Sequence, residues 1–519
     1  MSAAAAAGRT IAEPPAGRPA RLGAMGVGWW APIGLGLLGV LVSAWGSWIP
    51  SLWGDEATSS VSARRSFGSL LMMAQHVDAV HSTYYALMHL WVDVFGFSAF
   101  ALRFPSAIAA GVAVAGVFVL VRWSGGSVRF ATLAAVLCAI VPRITYAGEE
   151  ARSFAMTAAV ATWILVVVTG TLSGRIRQRI GWTLTAVLMA VGAYLFMYTL
   201  LTELAIVAMI SVAPNRRAHR RAWTISTAAT ALAVVPVVAA GWLERAQIAY
   251  LNTKVTTDPH SLLVGVWFWD TQVAVVSWAC IVLAIVAAIV ARRRPRQGPD
   301  GRFDLMLVVW AFAPPALLVV AQVAFHGFSS RYMAFTAPAV AILTARGITA
   351  LWHLGERIRG TRIAGRVAAA VALGALVITT GFVWADQRTP YAKNGSDWAQ
   401  VSAVVGAHAK PGQDVLFDET ASDSRRTRLA MRAYPGGFRG LHDVALTSPY
   451  WKNTTWHDYA LTITKAVERG RVTASTVWVV QWDGDKSHGT EGEAALRAAG
   501  YHAVRTWKLH TDTVIEYQK

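Results

Sequence analysis

The sequence predicts an α-helical polytopic membrane protein with a small C-terminal domain of mixed α/β structure. Hydrophobic residues make up 55% of the 519 residues, charged residues 15%, and the mean hydropathy is +0.42. A soluble globular domain carries about 25% charged residues. Apolar runs long enough to cross a bilayer recur between residues 29 and 386, whereas residues 387–519 are polar and alternate between strand-like and helix-like patterns.

The charge distribution argues for membrane topology rather than nucleic-acid binding. The net charge of +18 comes from 47 Lys and Arg against 29 Asp and Glu. Residues 387–519 hold 17 basic and 14 acidic residues, a net of +3, so a surplus of +15 lies among the apolar segments. In these segments the positive charge determines how the membrane spans are oriented. No nucleic-acid partner is expected. Cys138 and Cys280 both lie in apolar runs, so they form neither a disulfide framework nor a zinc site.

The first membrane segment follows an N-terminal tail. Residues 1–28 are rich in Ala, Pro and Arg without a packable pattern, so we expect a disordered cytosolic tail. The run Trp29–Pro50 is long enough to span a bilayer. It lacks an obvious small-residue cleavage site, which predicts an uncleaved signal anchor.

Ten further apolar runs of about 17–22 residues bring the predicted membrane domain, residues 29–386, to about eleven transmembrane helices. The run at 200–213 is short, and its boundary with the preceding run is the least well defined. The ten runs lie near residues 103–121, 127–144, 153–171, 181–198, 200–213, 223–242, 268–291, 305–325, 333–350 and 367–385.

The apolar stretch Ser82–Ala101 decides the topology, because counting it as a span reverses the side of every later loop. If it lies on the membrane surface, 22 arginines fall in the predicted cytosolic segments, and only eight basic residues remain in outer loops and span ends before residue 387. The positive-inside rule favours this arrangement. Residues 51–102 then form one long extracytoplasmic loop with helices on the membrane, and residues 387–519 also lie outside.

The polar C-terminal domain shows a mixed pattern. Strand-like runs lie at Asp414–Phe417, Thr476–Gln481 and Thr513–Tyr517, with helical patterns at Trp398–Ala409 and Tyr459–Arg469. Alternating strands and helices predict a small extracytoplasmic α/β domain.

Acidic residues are scarce before residue 387, where the sequence has fifteen, and most of them map to the predicted outer face. A charge at a membrane boundary is costly unless it is solvated, paired or functional. One interpretation is an ordinary wet surface. The other is a site for a substrate with a lipid tail and an anionic head, because arginine binds phosphate oxygens in its fork and a carboxylate accepts a proton from a hydroxyl. The candidate residues are Asp55, Glu56, Asp78, Glu149, Glu150, Arg152 and Arg331.

Five short motifs carry a resemblance to a known family. They are Trp53-Gly-Asp-Glu-Ala57, His76-Val-Asp-Ala-Val-His-Ser-Thr-Tyr-Tyr85, Phe100-Ala-Leu-Arg-Phe-Pro-Ser-Ala107, Tyr146-Ala-Gly-Glu-Glu-Ala-Arg-Ser153 and Ser330-Arg-Tyr332. In this order they resemble the GT-C glycosyltransferases, in the branch of the protein O-mannosyltransferases and lipid A aminoarabinose transferases, and the sequence looks like an actinobacterial mannosyltransferase subset. The resemblance is specific over roughly residues 50–155, looser to about residue 350, and absent from the C-terminal domain.

The resemblance implies a fold and a chemistry. In this family the sugar arrives on a polyprenyl phosphate, and the active site faces away from the cytosol. By position, Asp55 is the expected general base, with Glu56 supporting it or helping to bind a metal. Asp78 and His81 match the family's Asp-x-x-His element. Many members continue with Pro-Pro where this chain has Ser82-Thr83, which puts the acceptor in doubt.

The expected reaction transfers a hexose, with mannose favoured, from polyprenyl phosphate to an extracytoplasmic glycan, lipid or protein acceptor, with inversion at the anomeric carbon. Arg152 and Arg331 are expected to stabilise the departing phosphate. A divalent cation, Mg²⁺ or Mn²⁺, is an open alternative at Glu56 or Asp78, and no pattern in the sequence requires one. The expected substrate contacts are Asp78, His81, Tyr85, Glu149, Glu150, Arg152, Arg331 and Tyr332.

Other functions stay open at this stage. Within the enzyme class, the alternative is an arabinofuranosyl or other pentose transferase of cell-wall assembly. Outside it, the protein could be a lipid-linked sugar flippase or transporter, or a scaffold that acts through its C-terminal domain. Transporters place charges near the midplane and often have matching halves. Here the charges crowd one face and the halves do not match, which favours the enzyme.

Overall fold

The computed structural model describes residues 28–213, 216–248, 257–292, 301–322, 327–357, 362–484 and 491–519. The predicted N-terminal tail therefore lies outside the described residues, except for Gly28.

Among the described residues, helices form most of the membrane part and most of its long loop. The first span is α1 (Trp30–Ala44), and the loop after it contains α2 (Gly54–Ala63), α3 (Phe67–Ala74), a 3-10 turn at Ala79–His81 and α4 (Ser82–Phe95). The bundle continues with α5 (Ala99–Trp123), α6 (Val128–Ile140), α7 (Pro142–Gly148), α8 (Phe154–Leu172), α9 (Gln178–Leu195), α10 (Glu203–Ser211), α11 (Arg216–Leu243), α12 (Thr271–Arg292), α13 (Gly301–Ala321), α14 (Ala337–Arg357) and α15 (Arg362–Asp386).

Each of the eleven predicted spans falls on a helical segment, which confirms a polytopic helical protein. Seven of the described helices are long and apolar enough to cross a membrane, and there are eight if α6 and α7, which meet at 59°, form one bent span. The other three predicted runs fall on α1, α9 and the segment Met197–Ser211. The first and last of these are shorter than the roughly 20 residues of a full crossing.

The stretch Ser82–Ala101 does not form a span. Its helix α4 has 14 residues and ends at Phe95, and its last three residues already belong to α5. Leu87, Leu90 and Val94 lie on one side of α4 and are 47%, 59% and 73% exposed. An apolar exposed stripe at this spacing is typical of a helix that lies on a membrane surface.

Close approach of α1 and α5 anchors the start of the bundle. A Cβ on Gly111 would lie 2.5 Å from the carbonyl oxygen of Gly36, and a Cβ on Gly39 would lie 2.9 Å from a methyl of Val114. Small residues at such crossings let the helix backbones pack directly. The position of α1 in turn determines where the loop after it leaves the bundle.

The C-terminal domain contains α16 (Trp398–His408), β1 (Asp414–Phe417), α17 (Arg428–Ala433), β2 (His442–Asp443), β3 (Leu446–Ser448), β4 (Tyr459–Ala460), α18 (Ile463–Glu468), β5 (Thr476–Trp482), α19 (Glu493–Ala498), β6 (His502–Lys508) and β7 (Asp512–Gln518). The main sheet has the order β2-β1-β5-β7-β6. Strands β1, β2 and β5 are parallel, and β7 is antiparallel to both β5 and β6.

The sequence predictions for this domain are mostly confirmed. The three predicted strands and the helix at Trp398–Ala409 are present. The helix predicted over Tyr459–Arg469 is wrong at its start, because Tyr459–Ala460 pairs with β3 and the helix begins at Ile463. Strand β6 was not predicted. Its side chains are nearly all exposed, so it lacks the apolar alternation by which a half-buried strand is recognised.

The long loop and the C-terminal domain share one hydrophobic core. Leu52, Met73 and Tyr84 of the loop lie in the same buried cluster as Trp398 and Phe417 of the domain. Polar contacts reinforce it, since the Leu52 amide donates to the Tyr434 hydroxyl at 2.7 Å. The loop and the domain therefore lie together at one end of the bundle.

Candidate active site

Asp55 is the point at which three separate segments converge. It lies in the first turn of α2, and its Oδ2 is 2.6 Å from Nη1 of Arg331 and 3.3 Å from Nη2 of Arg152. Arg331 belongs to the 3-10 turn Ser330–Thr336 that precedes α14, and Arg152 lies in the turn between α7 and α8. The expected convergence of a carboxylate and two arginines is thus present.

The local fold presents Asp55 at the beginning of a helix. Trp53 is extended, and α2 starts immediately after it, so Asp55 lies where the helix dipole favours a negative charge. Gly54 allows a close approach at this point, because a Cβ there would lie 2.3 Å from the carbonyl oxygen of Ser424 in the C-terminal domain. The domain thus packs directly over the residue that precedes Asp55.

The two arginines control the charge of Asp55. Burial raises the pKa of this carboxyl, but the charges of Arg331 and Arg152 and their hydrogen bonds outweigh it, and the pKa falls to about 2. Burial lowers the pKa of Arg152, whereas Asp55 and other neighbours raise it well above its usual value. Asp55 and Arg152 are therefore ionised at neutral pH.

A chain of polar contacts joins Asp55 to Asp78. Nη1 of Arg152 donates to the Tyr85 hydroxyl at 3.1 Å, and that hydroxyl donates to Oδ2 of Asp78 at 3.0 Å. Asp78 has a φ of 58°, in the left-handed region that a non-glycine residue rarely adopts. The strained backbone aims the Asp78 carboxylate at Tyr85, so the four side chains form one network.

His81 lies beside this network as a neutral ring. Its imidazole stacks on Phe196 with centroids 6.1 Å apart and 7° between the planes. Burial, followed by the nearby charge of Arg152, lowers the pKa of His81 to about 4. Within the described part of the chain, its Nδ1 has no hydrogen-bond partner. His81 is thus placed to donate or accept a single hydrogen bond without adding charge.

Tyr332 forms part of an aromatic wall directly beneath Arg331. Its ring centroid is 4.9 Å from Phe196 and 5.6 Å from Phe154, while Tyr198 packs at 5.8 Å. The guanidinium of Arg331 lies 5.7 Å from the Tyr332 ring. The cationic centre therefore borders an apolar surface on this side.

The neighbouring glutamates Glu149 and Glu150 differ in their surroundings. Glu149 forms ion pairs with Lys393 at 3.2 Å and Arg388 at 3.3 Å, which tie the turn after α7 to the segment after α15. Glu150 is also buried, and no described donor hydrogen-bonds to either oxygen. Its closest described cation is Arg331, at 4.0 Å. Burial raises the pKa of Glu150, which favours the neutral form of this carboxyl.

Glu56 faces away from Asp55. Arg103 donates to both of its oxygens, Nε at 2.7 Å and Nη2 at 2.5 Å, and the Ala151 amide donates at 2.9 Å. Arg103 also donates to the carbonyls of Ser47 and Pro50. Both side chains are fully buried. Through these contacts Glu56 holds the loop to α5. The role of Glu56 in supporting the general base Asp55 stays a prediction.

The acidic residues here do not fit a metal centre. The oxygens of Glu56 are committed to Arg103, and Oδ2 of Asp78 accepts from Tyr85. Among the described residues, no three acidic, histidine or cysteine side chains converge in a way that could hold a metal ion. A cation at Glu56 or Asp78 would have to displace these partners.

Several residues of this site were not predicted from the sequence. Arg103 belongs to the motif Phe100–Ala107 but was not predicted to pair with Glu56, and Lys393 and Arg388 lie in a polar segment with no motif. Trp53, whose ring lies 5.1 Å from the Arg331 guanidinium, belongs to a motif but was not predicted as a site residue. An arginine at the beginning of an apolar span was the one signal that could have identified Arg103, because such a charge must find a partner.

Comparisons with known proteins identify the fold. No protein-family model matches the chain, and no curated protein sequence matches it. ArnT from Cupriavidus metallidurans bound to undecaprenyl phosphate is similar in structure, with a TM-score of 0.53 and 12% identity over 93% of this chain and 97% of that chain. The same protein in the apo state has a TM-score of 0.54 and 13% identity over equal shares.

A second similar structure is the Archaeoglobus fulgidus oligosaccharyltransferase in complex with Zn and sulfate. Its TM-score is 0.52 and its identity 12%, over 93% of this chain and 72% of that chain. At these identities the likeness concerns the fold. The chain has the fold of the GT-C glycosyltransferases, as its motifs predict.

Proposed function

We propose that this protein is a membrane glycosyltransferase that moves a sugar from a polyprenyl phosphate to the hydroxyl of an acceptor. The observation that carries the proposal is the contact of Asp55 with Arg331 and Arg152. A carboxylate between two arginines offers both groups that the reaction needs, a proton acceptor and a site for an anionic leaving group.

The arginines suit the phosphate of the donor. Arg152 and Arg331 come from different segments, and the side chains of both are mostly buried, 9% and 20% exposed. Guanidinium groups bind phosphate oxygens in a bidentate manner, and such bonds strengthen where water is excluded. In the proposed complex the phosphate replaces part of the contact that Asp55 makes with them.

This exchange would activate Asp55. Its pKa is about 2 while both arginines pair with it, so in that state it is a weak base. When the phosphate shares their charge, the carboxylate loses stabilisation and its pKa rises. The acceptor oxygen attacks the anomeric carbon, the carbon–oxygen bond to phosphate breaks, and the electron pair leaves with the phosphate. Asp55 takes the acceptor's proton, and the configuration inverts.

The surroundings support a lipid-linked donor. The aromatic wall of Phe154, Phe196 and Tyr332 borders the arginines on the side of the helical bundle. An apolar chain attached to the phosphate can lie against such a surface while the head stays with the arginines. The ArnT structure of this fold contains undecaprenyl phosphate, which supports a polyprenyl phosphate here.

We further propose that the other predicted residues hold this geometry. Glu56 and Arg103 fix the start of α2, so Glu56 acts as a positioning residue. Tyr85 and Asp78 orient Arg152. We assign His81 and Glu150, which border this network, to contacts with the sugar or the acceptor. The site faces the extracytoplasmic side, together with the loop and the C-terminal domain.

Mannose is the sugar we favour, on the strength of the motif resemblance, and a pentose such as arabinofuranose is the alternative. The acceptor is an extracytoplasmic glycan, lipid or protein. A flippase or transporter is disfavoured because the charged residues cluster at one end of the bundle, at Asp55 and its partners.

The direct test supplies the purified full chain in lipid nanodiscs with radiolabelled polyprenyl-phosphate mannose and, separately, polyprenyl-phosphate arabinofuranose. Membranes that provide the acceptor are added, and label in the acceptor fraction is measured. We expect transfer from one donor, with release of polyprenyl phosphate, and none from Asp55→Asn. A wild-type protein that binds donor and moves it across a vesicle membrane without releasing polyprenyl phosphate would establish the transporter instead.

A further inference from the structure

The C-terminal end of α11 contacts the turn that carries Asp78. Glu244 directly follows this helix, and both of its carboxylate oxygens accept from the amide of Ala79, Oε1 at 3.1 Å and Oε2 at 3.0 Å. Three residues later, Oε1 of Gln247 accepts from the Asp78 amide at 3.4 Å. Two consecutive amides of the turn therefore donate to side chains at the end of one membrane helix.

Close packing holds α11 against the same turn. A Cβ on Gly241 would lie 3.2 Å from a methyl of Val80 and would overlap the side chain of Met197. The Glu244 amide donates to the carbonyl of Ala240 at 2.9 Å, so the backbone of Glu244 continues the hydrogen bonding of the helix. The helix therefore determines where the half-buried Glu244 carboxylate lies.

The turn needs an acceptor from outside. Amides at the beginning of a helical segment have no acceptor within it, and an aspartate just before the segment usually supplies one. Asp78 occupies that position before the 3-10 turn Ala79–His81, with a φ of 58°. Within the described residues, its side chain makes no capping hydrogen bond and instead accepts from Tyr85. Glu244 supplies the cap that Asp78 does not.

This exchange of roles reaches the proposed donor site. The Asp78 carboxylate accepts from the Tyr85 hydroxyl at 3.0 Å, and that hydroxyl accepts from Arg152 at 3.1 Å. Arg152 in turn lies 3.3 Å from Asp55. If Glu244 were absent, the Asp78 carboxylate could turn back to cap its own segment, and Arg152 would lose the support of Tyr85.

We propose that Glu244 is a positioning residue for the donor site. By capping the turn at Ala79, it keeps the Asp78 carboxylate on Tyr85, and Arg152 keeps the orientation in which it binds phosphate. The inference rests on the proposed function and adds a determinant of donor affinity on a membrane helix outside the site. Glu244 itself does not touch the reacting groups.

Isothermal titration of undecaprenyl phosphate into the full chain in nanodiscs tests the inference, because this measurement needs no sugar transfer. Glu244→Leu keeps the bulk of the side chain but removes both acceptor oxygens, so it should weaken the affinity about tenfold. Glu244→Gln keeps an acceptor oxygen for the Ala79 amide and should restore nearly the wild-type affinity. The matched control is Glu468→Leu, at an exposed glutamate of α18, which should bind as the wild type does.

A double-mutant cycle distinguishes positioning from a general structural effect. Tyr85→Phe removes the hydroxyl that joins Asp78 to Arg152, so in that background Glu244→Leu should cause little further loss of affinity. Residues that act through one network are coupled, whereas independent effects on stability add. If thermal unfolding shows that Glu244→Leu is not folded, Glu244→Asp replaces it in the cycle, since its shorter side chain keeps the charge but withdraws the oxygens from Ala79.

The outcomes separate this inference from the proposed function. Unchanged affinity in Glu244→Leu, equal losses in Glu244→Leu and Glu244→Gln, or additive losses in the cycle would overturn the positioning role, even in a protein that transfers sugar. If the cycle shows the coupling but the wild type consumes no polyprenyl-phosphate sugar, the transfer reaction fails while the role of Glu244 at the phosphate site stands.

Discussion

Asp55 and Arg331 are 276 positions apart in the sequence, yet Oδ2 of one lies 2.6 Å from Nη1 of the other. The first comes from the loop after α1 and the second from the turn before α14. In this contact two opposite charges at a membrane boundary pair with each other. Either charge alone would cost free energy there.

Replacing Asp55 with Asn should leave the protein folded and able to bind undecaprenyl phosphate, while transfer falls by about 10²–10⁴-fold, the usual contribution of a general base. Binding should equal or exceed that of the wild type, since the two arginines lose a competing carboxylate. Filter binding and transfer assays measure the two properties. Asp93→Asn is the control, because that side chain is 64% exposed. Near-normal transfer by Asp55→Asn would mean that Asp78, and not Asp55, is the general base.

Arg152→Lys and Arg331→Lys should each weaken the binding of undecaprenyl phosphate substantially. Lysine keeps the positive charge but loses the planar fork that holds two phosphate oxygens. Isothermal titration in nanodiscs measures the affinity. Arg505→Lys, at a side chain 52% exposed in the C-terminal domain, should bind as the wild type does. Unchanged affinity in both site variants would mean that the arginines serve only to hold Asp55.

Glu56→Gln should lower the stability of the fold more than it lowers catalysis directly. It leaves Arg103 as a buried charge without its counter-ion, and removing one partner of such a pair costs about 3–5 kcal/mol. Chemical denaturation in detergent measures the loss, with Asp93→Asn again as the exposed control. A variant of normal stability whose activity returns on adding Mg²⁺ or Mn²⁺ would restore the metal-binding role for Glu56.

Gly54→Ala should reduce transfer by separating the loop from the C-terminal domain. The added Cβ would meet the backbone of Ser424 at 2.3 Å, and backbone cannot yield as a flexible side chain does. Gly68→Ala is a matched control in the same loop, since no atom lies within 4 Å of its added Cβ. The measurement is the transfer rate of each variant. Equal rates would show that the close approach of Gly54 to Ser424 is unimportant for the site.

The pH dependence should differ between free protein and donor complex. The folded-state pKa of Asp55, about 2, lies below its ordinary value of 3.8, so its ion pairs stabilise the fold fully above about pH 4 and are lost as the pH falls towards 2. His81, with a pKa near 4, is neutral at pH 6 and above. The kcat/KM for the donor should therefore be flat between pH 6 and 8.

In the donor complex the phosphate shares the arginines, so the pKa of Asp55 rises and kcat should fall on the acid side at a higher pH than kcat/KM does. Steady-state kinetics with donor as the varied substrate separate the two profiles. Identical acid limbs would show that donor binding leaves the charge of Asp55 unaffected.

The membrane architecture could be predicted from local patterns. Three features depend only on the solvation of the segment that carries them, so they can be predicted without knowing which segments pack against it. They are the apolar runs, the distribution of arginines and the shortness of α4. The strands Asp414–Phe417 and Thr476–Gln481 were equally clear, because buried strands carry continuous apolar runs. Strand β6 was missed because its exposed surface carries no such pattern.

A polytopic helical protein, a mixed C-terminal domain and the candidate residues Asp55, Arg152 and Arg331 could all be predicted from the sequence. Which acidic neighbour faces which cation is visible only in the folded protein. Adjacent side chains on a helix point in different directions, so Asp55 meets Arg331 while Glu56 is enclosed by Arg103. That assignment depends on contacts between distant segments, whose partners no local pattern specifies.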